Sequence, residues 1–157
     1  ETRSRLEQIS SVSVIHHAGM RSPSVIHVLR LKPHEDLKKS LMEFVRQHNL
    51  KAGIIATCVG SLEQYHLRFA NQKAGSTASG FFEIVSLTGT ISDSSCHLHI
   101  SLSDTTGKTT GGHLLDGNLI YTTAEIAIAE LTELSFERVG DPTYGFKELH
   151  IEKRHPS

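Results

Sequence analysis

The sequence predicts an α+β fold, a mostly antiparallel β-sheet of about six to seven strands with one main amphipathic helix packed on a face. Three observations lead there. A single segment places apolar residues at helical spacing, whereas elsewhere they alternate with polar residues or form short β-prone runs. The connections between those runs are too short for the crossovers that parallel strands require. The length of 157 residues suits one hydrophobic core, since a second would need roughly another hundred.

Taken in order, residues 1–23 read as an N-terminal extension whose apolar run, Val12, Val14 and Ile15, is a candidate first strand. Residues 25–31 are rich in Val, Ile and Leu and predict a strand that stops before Pro33, which biases Lys32 toward extended backbone. The period then changes. Leu37, Leu41, Phe44 and Val45 fall on one helical face, with Lys38, Lys39, Glu43 and Arg46 opposite, and this predicts a helix over about 34–49. Glu35 and Asp36 in its first turn and Arg46 and His48 in its last suit the helix dipole.

Beyond the helix, residues 54–59 form a compact apolar strand ending at Gly60. Tyr65, Leu67 and Phe69 alternate with His66 and Arg68, and Phe82 and Ile84 flank Glu83. Further strands are predicted at 96–103, 119–129 and around 149–151, with a polar loop over 71–79 and a glycine-bearing turn over 104–108.

Composition excludes several classes. Sixteen Lys and Arg against seventeen Asp and Glu leave a net charge of -1, so no global positive field draws the chain onto phosphate backbones. Cys58 and Cys96 form no C-x-x-C pair, which argues against a disulfide framework and for a reducing, intracellular compartment, cytoplasmic or, in a eukaryote, nuclear. No apolar stretch reaches the ~20 residues of a membrane span. The chain starts at Glu1 rather than Met, which leaves an upstream targeting segment open.

The unusual count is histidine, with eleven. In the strand 96–103, alternation puts Cys96, Leu98, Ile100 and Leu102 on one face and His97, His99, Ser101 and Ser103 on the other. Histidines two apart on a strand stand about 6.6 Å apart, close enough to converge on one ion about 2.0–2.1 Å from each nitrogen. After the turn containing Gly107, Gly111-Gly112-His113 offers a third imidazole, with paired glycines that permit positive φ and close backbone approach. Three protein ligands would leave a fourth position of tetrahedral zinc open, as in catalytic sites. The same alternation also describes an ordinary solvent-facing strand.

Glu83 and Glu125 lie in runs of apolar and small residues, where partial burial would raise a carboxylate pKa and suit proton transfer. Each could equally be a surface residue paired with a nearby cation. No G-x-S-x-G, P-loop or G-x-G-x-x-G motif is present, and both cysteines fall among core-facing aliphatics.

The run Gly80-Phe81-Phe82-Glu83-Ile84-Val85-Ser86-Leu87-Thr88-Gly89 resembles the signature of the plants and prokaryotes conserved (PPC) domain family. Pro33-His34-Glu35-Asp36-Leu37, Gly60-Ser61-Leu62 and Gly111-Gly112-His113-Leu114 resemble further motifs of that family, in the same order. The resemblance implies a domain over 24–152 with a short tail at 153–157, a strongly bent sheet, and a homotrimer with sites near the subunit interfaces. Plant members append AT-hooks that bind A·T-rich DNA. This chain has no Arg-Gly-Arg-Pro hook and carries Phe81 where plant members usually have Arg, so direct nucleic-acid binding is not implied.

The histidines resemble those of microbial-type members, and the broad fold is similar to that of α-acetolactate decarboxylase and a zinc-dependent ester hydrolase, which hold zinc by three histidines. That likeness implies zinc, or another divalent ion, at His97, His99 and His113, with metal-assisted chemistry on a small carbonyl or ester ligand. The alternative is a non-catalytic interaction module in DNA-associated complexes, with Arg3, Arg5, Lys153 and Arg154 as its only electrostatic foothold on nucleic acid.

Overall fold

A computed structural model describes residues 19–154. The candidate strand at Val12 to Ile15 and residues 155–157 of the tail lie outside the described residues. Among those described, one helix and eight strands follow the order β1 (Ser24–Leu31), α1 (Leu37–Gln47), β2 (Gly53–Arg68), β3 (Ser76–Ile91), β4 (Cys96–Ser103), β5 (Thr109–Leu114), β6 (Leu119–Leu131), β7 (Leu134–Gly140) and β8 (Lys147–Lys153).

The helix is shorter than its periodicity suggested because both ends are capped by residues counted inside it. His34 sits at φ 70 and Asp36 is extended at φ -82 and ψ 118, so neither continues a helix. The Asp36 carboxylate instead accepts a hydrogen bond from the Lys39 N–H at 3.1 Å, satisfying a donor that has no partner within the helix. At the other end Asn49 turns left-handed at φ 50, while Asn49 N–H donates to Arg46 O at 3.1 Å and Leu50 N–H to Val45 O at 2.9 Å. These paired bonds make a Schellman-type stop. Leu37, Leu41, Met42 and Val45 are the helix's buried residues.

Two predicted strands flanking Gly60 are one sixteen-residue strand, β2. Its register against β6 shifts between Ile55 and Thr57, Gly60 and Leu62, and Leu62 and Gln64, so bulges absorb what looked like a break. A Cβ on Gly60 would lie 2.1 Å from the Thr123 carbonyl oxygen, so β6 can press against β2 there only across a glycine. The polar loop ends earlier than expected, since Ser76, Thr77, Ala78 and Ser79 pair with β2. β5 and β7 are additional strands, each carrying too few apolar residues to stand out by alternation.

All strand pairs are antiparallel, in the order β1-β6-β2-β3-β4-β5, with β7 and β8 as a separate hairpin. The far end of β2 also pairs with β5, through Leu67 opposite Leu114 and Arg68 opposite His113. The sheet therefore curls until β2, β3, β4 and β5 close a ring. Its inner apolar residues join those of α1 in one core that includes Leu62, Leu67, Leu98, Leu102, Ile120 and Ile126. The hairpin docks separately. Leu134 and Phe136 bury against Ala52, and Phe136 N–H donates to Lys51 O at 2.9 Å.

Candidate metal centre

Alternation along β4 works as the sequence implies: Leu98, Ile100 and Leu102 are buried, and His97 and His99 are exposed on the opposite face. Pairing then gathers the site. His99 stands opposite His113 on β5 and Thr88 on β3, His97 opposite Thr90, and His113 opposite Arg68 on β2. Directly paired residues share a face, so all three imidazoles rise from one side of the ring.

One ring nitrogen from each histidine lies within 4.8 Å of the others. The His97 and His99 Nε2 atoms are 3.2 Å apart, which is close to the about 3.3 Å between neighbouring nitrogens around a tetrahedral zinc. That spacing is also a hydrogen-bond length. The third ring adds a separate observation: His113 Nδ1 is buried without a hydrogen-bond partner among the described residues. A buried polar nitrogen left unsatisfied costs about 1–3 kcal/mol, so a ligand bound at that atom would relieve the ring of that cost.

Burial holds His113 down at about pKa 4, with the Arg68 guanidinium and the other two imidazoles adding to the effect. His97 is lowered too, mainly by burial, then by Arg138 and His99, with Glu148 opposing. Both rings are therefore neutral near pH 7, the form that ligates a metal.

The glycines act by size. A Cβ on Gly111 would meet Ile100 O at 2.6 Å, and one on Gly112 would meet Arg68 O at 2.8 Å, so β5 fits between β4 and β2 only without side chains there. Neither glycine has positive φ, so the expected backbone freedom is not what they supply. Gly89 on β3 is the tighter case. It combines φ 138 with a Cβ position 1.9 Å from His97 O.

The carboxylates are placed differently. Glu83 and Glu125 are both exposed rather than partly buried. Glu83 pairs with Ser103, four residues along β4 from His99 and roughly 13 Å away at about 3.3 Å per residue. Glu125 pairs with Arg30 and Val59, and Val59 lies nine residues along β2 from Arg68, roughly 30 Å of strand. The carboxylate that borders the trio is Glu148, in a cleft shared with His97, His113, Arg68, Arg138 and Lys147. Sequence reading missed this wall, because β7 and β8 reach the histidines only through tertiary packing. Cys58 is buried, and its thiol is pushed up to about 12 by burial; Cys96 is half-buried and also raised.

A curled antiparallel sheet with three converging imidazoles defines an α+β domain bearing a candidate metal centre. Residues 19–132 match the Plants and Prokaryotes Conserved (PCC) domain, and the chain belongs to that family. It is 47% identical over 128 residues to the bifunctional protein GlmU of Synechococcus sp. (strain JA-3-3Ab), a match covering 82% of this chain and 21% of that protein. The chain thus spans about a fifth of the length of the curated relatives it matches.

Among solved structures, a hypothetical protein from Salmonella cholerae-suis is 40% identical with a TM-score of 0.85, covering 89% of this chain and 100% of that one. A PPC protein from Pyrococcus horikoshii is 26% identical with a TM-score of 0.69, covering 88% and 100%. A metal-containing protein from Archaeoglobus fulgidus, at 23% identity, shares the fold with a TM-score of 0.71, covering 84% and 98%.

Proposed function

We propose that the chain is a divalent-metal protein in which His97, His99 and His113 hold zinc, and that it acts on a small carbonyl or ester ligand. The observation that carries this is the convergence of three imidazole nitrogens to within 4.8 Å on one face. The orphaned His113 Nδ1 and the lowered pKa of His97 and His113 support it. Zinc with three protein ligands supplies a Lewis acid with one open position. The chain's own contribution is to hold three neutral rings on rigid strands, with β5 tied to both β4 and β2.

Metal analysis of the purified protein tests the reading. The expected result is about one zinc per chain, falling to near zero when His97→Ala and His99→Ala are combined, because one imidazole cannot replace three ligands. A wild-type protein without stoichiometric metal after zinc loading would overturn it.

The chain is also proposed to form a homotrimer. Val25, Ile26 and Val28 on β1, Val59 on β2, Phe81 and Val85 on β3 and Tyr121 on β6 are exposed large apolar residues, and the Phe81 and Tyr121 rings lie 5.0 Å apart, apolar surface that a neighbouring copy would cover. Glu83 or Glu125 would serve the trio only from a neighbouring copy, given their positions within one chain.

A further inference from the structure

The cleft beside the histidines has a chemistry of its own. It encloses about 640 Å³, within the roughly 300–1,000 Å³ range of small-molecule sites. Its charged walls are Arg68, Arg138, Lys147 and Glu148, three cations to one anion. Arg68 reaches it from the end of β2, directly opposite His113. Arg138 reaches it from β7, and its Nη2 donates to Thr90 Oγ1 at 2.7 Å, on the residue that pairs with His97. Arg138 is thereby held beside His97, and Arg68 rises from the strand position opposite His113.

Both arginines are half-buried, and among the described residues neither they nor Lys147 take part in an ion pair. With Glu148 as the one carboxylate in the cleft and in ion-pair contact with neither arginine, the partly desolvated guanidinium groups leave N–H donors that an anion would meet. Their planar forks suit the paired oxygens of carboxylate or phosphate.

We infer that this cleft binds a small oxyanion, a carboxylate or phosphate group, between Arg68 and Arg138 and beside His97 and His113. The inference deepens the metal reading and rests on it for one consequence: the substrate class narrows to a carbonyl compound or ester that also carries a carboxylate or phosphate. The β7–β8 hairpin, which lies beyond the matched residues 19–132, supplies Arg138, Lys147 and Glu148. It supplies most of the cleft's charge, while the sheet supplies the histidines and Arg68.

Calorimetric titration of inorganic phosphate and, separately, acetate into zinc-loaded and chelator-stripped protein tests this. One oxyanion per chain is expected on the zinc-loaded form, and the tighter of the two probes identifies the head group. Arg68→Gln and Arg138→Gln should each weaken binding by about tenfold or more with zinc content unchanged, as expected for lost charge-assisted hydrogen bonds. Lys147→Gln, on an exposed strand, should weaken it by about threefold. Glu148→Gln should tighten it by a similar factor, a gain that misfolding does not mimic.

Zinc-loaded protein that binds neither probe, or binds them equally well in both arginine variants, overturns the inference. If the wild type holds no zinc, the metal reading fails by itself. Arginine-dependent binding to that metal-free protein still upholds the oxyanion cleft, and its absence ends both.

Discussion

His113 concentrates the physical tension of the site, since a half-buried imidazole held near pKa 4 resists protonation that an unfolded histidine accepts near 6.5. Between those values the unfolded chain binds more protons than the folded one, so stability is full above about pH 6.5 and falls as pH drops toward about 4. Thermal unfolding of chelator-stripped protein should show this decline across pH 7 to 4, and His113→Gln should flatten it. A second residue-scale prediction concerns Gly89. Its φ of 138 and the 1.9 Å approach of a would-be Cβ to His97 O leave no room for a side chain. Gly89→Ala is expected to cost at least about 2 kcal/mol through strain and backbone displacement, read by denaturant unfolding. The same variant should hold less zinc, because it is His97 that moves. Gly89 was visible in the sequence as a motif residue, but its contact with His97 depends on a pairing between β3 and β4 that local pattern does not specify.

At the scale of elements, the loop between β5 and β6 keeps His113 in place through a polar knot. Asn118 is fully buried; its Oδ1 accepts from His66 N–H at 3.0 Å, and its Nδ2 donates to His66 O at 3.0 Å and Leu115 O at 2.6 Å. Asp36 caps α1 with one carboxylate oxygen and accepts from Gly117 N–H at 2.6 Å with the other, tying helix start to loop. Asn118→Ala takes away the partners of His66 N–H and Leu115 O, while His66 O keeps the Leu115 N–H, and is expected to cost about 2–4 kcal/mol in denaturant unfolding. Asp36→Ala should cost less, about 1–2 kcal/mol, because water can reach part of the cap. β4 was legible residue for residue because one face is aliphatic and the other polar. β5 and β7 were not, because Thr, Gly, Ser, Glu and Arg dominate them and their strand character comes from neighbours already in place.

At the scale of the whole molecule, the two proposed contact surfaces are the cationic cleft and the exposed apolar side chains of β1, β2, β3 and β6. Light scattering coupled to size exclusion should give a mass near three times 17.3 kDa if the apolar face joins copies of the chain. Val28→Glu, on a residue 75% exposed, should reduce that mass without unfolding the monomer. Among the described residues no helix is long and apolar enough to cross a membrane.

Period and composition sufficed for the α+β class, the span of β1, the presence of α1 and the two faces of β4, because each is written in residues a few positions apart, whereas His113 was joined to His97 and His99 by the family resemblance. The order of the motifs around Pro33, Gly60, Gly80 and Gly111 resembles that of the family along the chain itself. The closing of the ring through Arg68 and His113, the remoteness of Glu83 and Glu125, and the wall of Arg138, Lys147 and Glu148 belong to the tertiary structure alone. They bring together residues separated by tens of positions, and their meeting is set by strand register, bulges and hairpin docking rather than by any local preference.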